Sequence, residues 1–383
     1  MSENDYRQPL NIINIFSGSL YCSYAFQLDT YLDGCSHECA YCYARDEGLR
    51  VDHWNNPSPK AVDLEPIRQL FHQVFETDRP NRWRWILERR IPVRLGGYTD
   101  CMMEMETNKR VTLELVRLLN HYNYPHVMVT RSDLASREPY IAELNPKLAA
   151  IQLTIPSLNQ EAVGKLEPGA PSIQRRFDAL KRLSQAGFYC GVRVNPLFPM
   201  YADGHFSGGG DLTSPPALDV FDFAIADEAA KAGANYIVAG FLHLSPSSLS
   251  QVEAALGVDL EGLLSAQIRA MQKGFFYSSQ EIRRYYDILR QRCRDLGIGF
   301  TTCYLGYGES SYWKYQDLWS HESDCCHICG NIEGFDATAA QIPLSKRLNA
   351  SHTPAGWWNK RMRHLSLKLL DTLARGLGKE KSS

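Results

Sequence analysis

A parallel α/β barrel, complete or partial, is the fold this sequence predicts. Three observations lead there. Six short apolar segments with strand character alternate with amphipathic helical patterns, the order that builds a parallel sheet. The Ala186-Gly187 and Ala232-Gly233 pairs stand as helix stops just before the next apolar run. The residues with the most chemical potential follow the strands, where a barrel keeps its chemistry.

Taken in order, the predicted strands are Ala25–Leu32, Ile91–Leu95, His126–Thr130, Ala149–Thr154, Tyr189–Val194 and Tyr236–Phe241. Helical periodicity covers Leu64–Phe75, Val111–Tyr122, Tyr140–Leu144, Ile173–Ala186 and Phe221–Ala232 between them. A cysteine run, Cys35–Cys42, follows the first strand; Gly96–Cys101 follows the second and Thr130-Arg131-Ser132 the third. Thr154 ends the fourth, Asn195-Pro196 follows the fifth, and His243 the sixth. Residues 201–216 are rich in glycine and proline, which fits either a mobile loop over the site or a solvated insertion. Beyond Leu244 the expectation is a mostly helical stretch over 251–296, one more strand at Gly299–Cys303, and an irregular aromatic segment. A basic helix near Lys360–Arg375 and a disordered tail from Gly376 complete the chain. The organisation read from this is an N-terminal segment to residue 24, a barrel over 25–245, an extension over 246–375 and the tail.

Composition bounds the function. A chain of 383 residues with 44% hydrophobic content can bury a large core. The net charge of −2 gives no bulk electrostatic drive toward nucleic acid, though a local basic groove stays open. The polar, acidic start and the lack of a long apolar run predict a cytoplasmic protein without a signal peptide or membrane span. Eleven cysteines in that compartment read as metal ligands and buried thiols rather than disulfides.

The run Gly34-Cys-Ser-His-Glu-Cys-Ala-Tyr-Cys-Tyr43 is the sharpest signal. Cys35, Cys39 and Cys42 supply three thiolates with no local fourth, so a 4Fe–4S cluster held by them keeps one iron open for a ligand. Ferredoxin runs carry four cysteines at other spacings, and zinc sites favour paired C-x2-4-C units. A zinc site and a chance cluster of thiols are the competing readings.

This run, with Tyr41 before its last cysteine, resembles the signature of the radical S-adenosylmethionine (SAM) superfamily. The likeness to its spore photoproduct lyase branch extends over residues 27–200. It rests on Gly34–Arg45, Leu95-Gly-Gly-Tyr-Thr-Asp100, Val129-Thr-Arg-Ser132, Leu166-Glu-Pro-Gly-Ala-Pro171 with Arg175-Arg176, and Gly187–Pro199. The resemblance implies a partial (β/α)6 TIM-like barrel of the radical SAM type. It also implies a cluster on Cys35, Cys39 and Cys42 with SAM on the open iron. Gly96, Gly97, Tyr98, Thr99 and Asp100 then fall on the stretch that contacts the methionyl amine. Arg131 stands where the lyase has a lysine near the carboxylate, and its fork keeps that charge. Ser132, Thr154 and Asn195 are candidate ligands of carboxylate or ribose, or strand-end hydrogen-bond partners.

Tyr41 and Tyr43 match two tyrosines implicated in hydrogen-atom relay in the lyase. The lyase's hydrogen-donating cysteine falls where this chain has Gly97, and Cys101 is a candidate displaced donor or a buried thiol. The implied activity is reductive cleavage of SAM to a 5′-deoxyadenosyl radical acting on a nucleobase, thymine or a modified thymine in DNA. Two outcomes are open: lesion carbon–carbon cleavage, or an isomerisation like that of phage enzymes that hypermodify thymidine. An electron donor such as flavodoxin or ferredoxin is expected as partner. Modification of a free metabolite or peptide is the alternative enzyme reading, and a zinc–cysteine nucleic-acid-binding protein the non-catalytic one. Cys303, Cys325, Cys326 and Cys329 form a candidate second site, for an iron–sulfur cluster or zinc. Thiols packed among Tyr304, Tyr307, Tyr312, Trp313, Tyr315 and Trp319 are the bland alternative.

Overall fold

The computed structural model describes residues 6–7, 24, 26–47, 59–81, 83–198, 222–257, 260, 265–269, 272–277, 279–303, 315–320, 325–328 and 330–334. Seven strands form one sheet in sequence order: Gln27–Leu28, Val93–Leu95, His126–Thr130, Ala149–Thr154, Tyr189–Leu197, Tyr236–Phe241 and Gly299–Thr302. Every neighbouring pair is parallel. The first and seventh strands are the two edges, so the sheet is a barrel left unclosed. The expected α/β partial barrel is therefore the observed fold, with its last strand drawn from the region read as an extension.

Alternation along the strands separates two faces. Outward, Leu28, Leu95, Met128, Ile151, Leu153, Val192, Val194, Ile237 and Phe300 join one core. The surrounding helices supply Phe71 and Val74 from Glu65–Phe75, Leu115 and Leu119 from Val111–His121, and Leu180 and Leu183 from Ile173–Gln185. Inward, the lumen is largely polar. Arg193 Nη1 donates to Gln152 Oε1 (3.2 Å), and Gln152 Nε2 donates to the Tyr236 hydroxyl (3.2 Å). The lumen rows alternate small and large. Gly191 pairs with Tyr236, and a Cβ on Gly191 would lie 2.5 Å from the Tyr236 ring.

The C-terminal residues close the floor of the barrel, at the amino ends of the strands. Tyr236 and Tyr189 stack at 5.2 Å, and His327 stacks on Tyr236 at 5.2 Å. The Tyr189 hydroxyl and His327 Nδ1 are 2.6 Å apart. Tyr24, Trp319, Cys325, Cys326, Ile328 and Ile332 pack there with Val127 and Ala150. Trp319 Nε1 donates to Thr302 Oγ1 (2.6 Å), and Glu333 N donates to Lys147 O (2.6 Å).

Two expectations need correction. The strand foreseen over Ala25–Leu32 divides: Gln27–Leu28 stays in the barrel, while Tyr31–Leu32 pairs with Lys60–Val62 in a small separate sheet. Asp29 and Thr30 make the break, because the Asp29 carboxylate turns to the loop after the second strand and the Thr30 carbonyl accepts from Val62 N (3.1 Å). The stretch 251–296 is helical at its two ends but not throughout. A helix over Pro246–Leu256, capped by Ser245 and ended by Gly257 at φ 71°, is followed by a hairpin of Ser265–Arg269 and Gln272–Phe276. Helix resumes at Ser279–Asp295. The loop at 201–216, the helix near 360–375, the tail, and Tyr304, Tyr307, Tyr312, Trp313 and Cys329 lie outside the described residues.

Candidate active site

The loop after the first strand carries the three predicted ligands. Asp33 (φ 61°) and Glu38 (φ 50°) take left-handed backbone, which coils the run tightly. Glu38 N reaches Cys35 O (3.3 Å), and Cys42 N reaches Cys39 O (3.2 Å), before the short helix Tyr43–Glu47 begins. A second segment straps this loop down: Ala40 N donates to Leu166 O (2.8 Å) and Gly169 N to His37 O (3.2 Å). The contact is so close that a Cβ on Gly169 would stand 1.8 Å from Ser36 O. The Leu166–Pro171 motif is thus the underside of the cysteine loop.

Burial pushes all three thiols up, Cys35 to about 12 with Asp100 adding to the effect, Cys39 and Cys42 above their ordinary range. The polypeptide alone therefore keeps them protonated, and a cationic centre is what would ionise them. Cys35 and Cys42 lie close enough to Cys39 to add to its shift. Among the described residues no three His, Cys, Asp or Glu side chains converge as ligands of a single ion. Three thiols in one loop, with Cys35 and Cys42 both near Cys39, are a donor set that fits a cluster, which takes each thiolate on a separate iron.

Glu167, completely buried in the strap, collects the charges behind the loop. Its carboxylate receives the Tyr41 hydroxyl and Arg131 Nε (2.9 Å) and pairs with Arg176 Nη1. Burial pushes its pKa up, but Arg176 and Arg131 outweigh this and hold it below the usual range. Arg176 is itself fully buried, with Nε donating to Pro171 O (2.8 Å) and Nη1 to Thr154 O (2.9 Å). The Arg131 guanidinium also lies over the Tyr41 ring, 5.7 Å from its centroid.

Two aspartates fix the Gly96–Asp100 loop opposite. Asp29 Oδ1 accepts the backbone N–H groups of Gly97 (2.9 Å), Tyr98 (2.9 Å) and Thr99 (3.2 Å). Gly96, at φ 81°, sits against Val129 O, where a Cβ would be 2.2 Å away. Asp100 Oδ1 accepts from Thr130 Oγ1 (2.7 Å) and Met102 N (2.9 Å), and Oδ2 accepts from Arg131 N (2.7 Å) with His37 Nε2 3.0 Å away. Burial works against ionisation, but His37 and these donors bring Asp100 down to about 2. The His37 contact ties this loop to the cysteine run.

The remaining predicted residues divide by their surroundings. Tyr98 packs beside Tyr43 (6.1 Å between rings), and the Tyr43 hydroxyl donates to Gly97 O. Tyr41 is buried on Glu167, and Thr99 Oγ1 donates to Tyr31 O (2.7 Å). Ser132 Oγ accepts from Leu134 N (3.2 Å), and the Thr154 carbonyl serves Arg176. Asn195 lies over Gly240, whose missing Cβ makes room for its amide. Cys101 has no exposed surface, and burial with Asp100, Glu106 and Asp29 nearby keeps its thiol neutral. Cys303 takes Arg193 Nη2 at 2.7 Å, whereas Cys325 and Cys326 belong to the floor, at the opposite end of the strands from Cys35–Cys42. Sequence reasoning missed Asp29, His37, Glu167 and Arg176. The acid inside Leu166–Pro171, just ahead of Arg175-Arg176, was the available signal.

No family model matches the chain. An uncharacterised protein of Mycobacterium tuberculosis is 29% identical over 178 residues, 44% of this chain and 49% of that protein. The chain thus spans about half the length of the first curated relatives it matches. The radical SAM Nalpha-GlyT isomerase of Pseudomonas phage M6 is 23% identical over 318 residues, 80% of this chain and 60% of the phage protein. Among solved structures, a spore photoproduct lyase variant with bound AdoMet and a dinucleoside spore photoproduct has a TM-score of 0.54 at 15% identity. That likeness covers 75% of this chain and 78% of the lyase. A second lyase variant, with the dinucleoside alone, gives 0.56 at 15% identity over 79% and 81%. These likenesses establish the fold as that of the lyase and agree with the resemblance carried by the cysteine loop.

Proposed function

We propose that this chain is a radical SAM enzyme acting on a pyrimidine base, thymine or a modified thymine, and that it rearranges a base substituent rather than repairing spore photoproduct. One observation carries the reading: three thiols, Cys39 buried and Cys35 and Cys42 partly so, stand at the carboxyl end of a parallel barrel, in a loop clamped to the Gly96–Asp100 turn through His37 and Asp100. A cluster on Cys35, Cys39 and Cys42 with SAM bound would supply a carbon radical that removes hydrogen from the substrate. The chain's own task is placement and exclusion of water. Asp29 keeps the Gly97–Thr99 amides turned to itself, so the loop presents one fixed face. Arg131, steered by Glu167 and the Tyr41 ring, places a cation beside Cys39 and Cys42, suited to a carboxylate ligand.

Rearrangement is favoured over lesion repair because Gly97 offers no thiol and Cys101 is sealed in the core. A nucleobase substrate is supported by the dinucleoside in the lyase and by the isomerase activity in the phage relative's name. No helix among the described residues is long and apolar enough to cross a membrane. We assign the enzyme to the cytoplasm, with a flavodoxin or ferredoxin as electron donor.

The test is anaerobic turnover of the reconstituted protein with SAM, reductant and DNA carrying deuterated thymine. Iron with labile sulfide, and deuterium in 5′-deoxyadenosine, are the expected results. Zinc without sulfide would end the radical reading. SAM cleavage indifferent to DNA would favour a metabolite or peptide substrate.

A further inference from the structure

Gln27 is the lumen-facing residue of the first strand: Phe26 and Leu28 on either side enter the outer core, so alternation turns Gln27 inward. It is only 7% exposed. Its carboxamide lies flat across Gly97. A Cβ on Gly97 would stand 2.4 Å from Gln27 Nε2, 2.5 Å from Cδ and 2.7 Å from Oε1. Gly97 cannot withdraw, because its N–H is held by Asp29 and its carbonyl by the Tyr43 hydroxyl. Among the described residues, nothing hydrogen-bonds the Gln27 amide, whereas Asp29 and Asp100 nearby are amply partnered. An amide with no protein partner keeps both of its polar atoms available to a ligand.

A carboxamide presents one donor and one acceptor side by side. Its complement is an edge with an N–H next to a carbonyl, and enzymes that act on extruded bases read that edge with hydrogen bonds. We infer that Gln27 is the specificity residue of this site, pairing with the N3–H and neighbouring carbonyl of a pyrimidine base held above Gly97. This rests on the nucleobase function proposed above. It gives Gly97 a task of its own: a glycine leaves room for the reader, where the lyase branch places a cysteine. Tyr43, on Gly97 O, joins the reader to the cysteine loop.

The test is equilibrium binding to the reconstituted full chain with SAM, using a thymidine dinucleotide and its N3-methyl counterpart. The wild type should prefer the unmethylated dinucleotide roughly ten-fold or more, the discrimination expected of a bidentate base contact. In Gln27→Ala that preference should fall to within about two-fold. Gln27→Glu, which keeps the acceptor for N3–H and loses the donor to the carbonyl, should bind both dinucleotides more weakly and still prefer the unmethylated one. Gln27→Met, which keeps the side chain's length and removes both polar atoms, should repeat the effect of Gln27→Ala and decides the matter if that variant fails to bind SAM. A wild type that binds both dinucleotides equally, or variants without the amide's polar atoms that keep the preference, would overturn the role of Gln27 and leave the nucleobase function standing. A wild type that binds neither dinucleotide would overturn both.

Discussion

The two ends of the barrel are held by opposite means. At the rim, buried charge does the fastening: Glu167 gathers Arg131 and Arg176, Asp100 gathers His37 and three donors, and Asp29 gathers three amides. At the floor, rings do it, with His327 laid on Tyr236 and Tyr189, and Trp319 beside them. Ionic contacts in a dry setting fix direction, because each carboxylate must meet particular donors or bear a large desolvation penalty. Stacked rings seal without fixing direction so narrowly. The rim has loops to aim and the floor has only water to exclude.

The largest way to break this contrast is to remove a thiol. Alanine at Cys35, Cys39 or Cys42 should abolish iron loading and reduce SAM cleavage to background, read by absorbance and product analysis. Alanine at Cys325 should leave the iron on Cys35–Cys42 in place. Next comes Glu167→Gln, which strands two guanidinium groups. Denaturant unfolding should show a loss of roughly 3–5 kcal/mol, the cost of breaking a buried pair from one side.

Acid should sharpen the comparison. His126 starts the third strand at the floor end, and burial pushes its pKa down from 6.5 to about 4. The unfolded chain binds this proton first, so stability present above pH 6.5 should decline by about 3 kcal/mol as pH falls toward 4. A His126→Leu variant should lack that slope. Asp100 behaves oppositely in origin. Its contribution is complete above 3.8 and is lost only as pH falls through about 2. Mild acid should therefore loosen the floor while Asp100 and Glu167 at the rim stay charged. The smallest effect is expected for Tyr189→Phe, which removes the hydroxyl on His327 and should cost about 1 kcal/mol in the same unfolding measurement.

The strands of the middle of the sheet were legible because Ala149–Thr154 and Tyr236–Phe241 are apolar runs bounded by turn residues. The cysteine loop was legible because its spacing is local. Glu167, Asp29 and His37 were not, since each acts on groups brought to it from far along the chain, such as Glu167 on Tyr41. The hairpin at Ser265–Phe276 was misread because Ala266, Gln267, Met271, Gln272 and Lys273 are all good helix formers. Pairing with His243–Leu244 overrides that propensity. Gln27 looked like one polar residue in a strand until the missing side chain of Gly97 revealed what it lies against.

The unclosed sheet carries one more consequence. Among the described residues its first and seventh strands remain separate edges, so the wall has a seam between them. A ring without a seam admits a long polymer only by its end. On the function proposed above, a seam beside Gln27 would let one unit of a continuous strand swing in sideways while its neighbours stay outside, with neither a chain terminus nor a cut required.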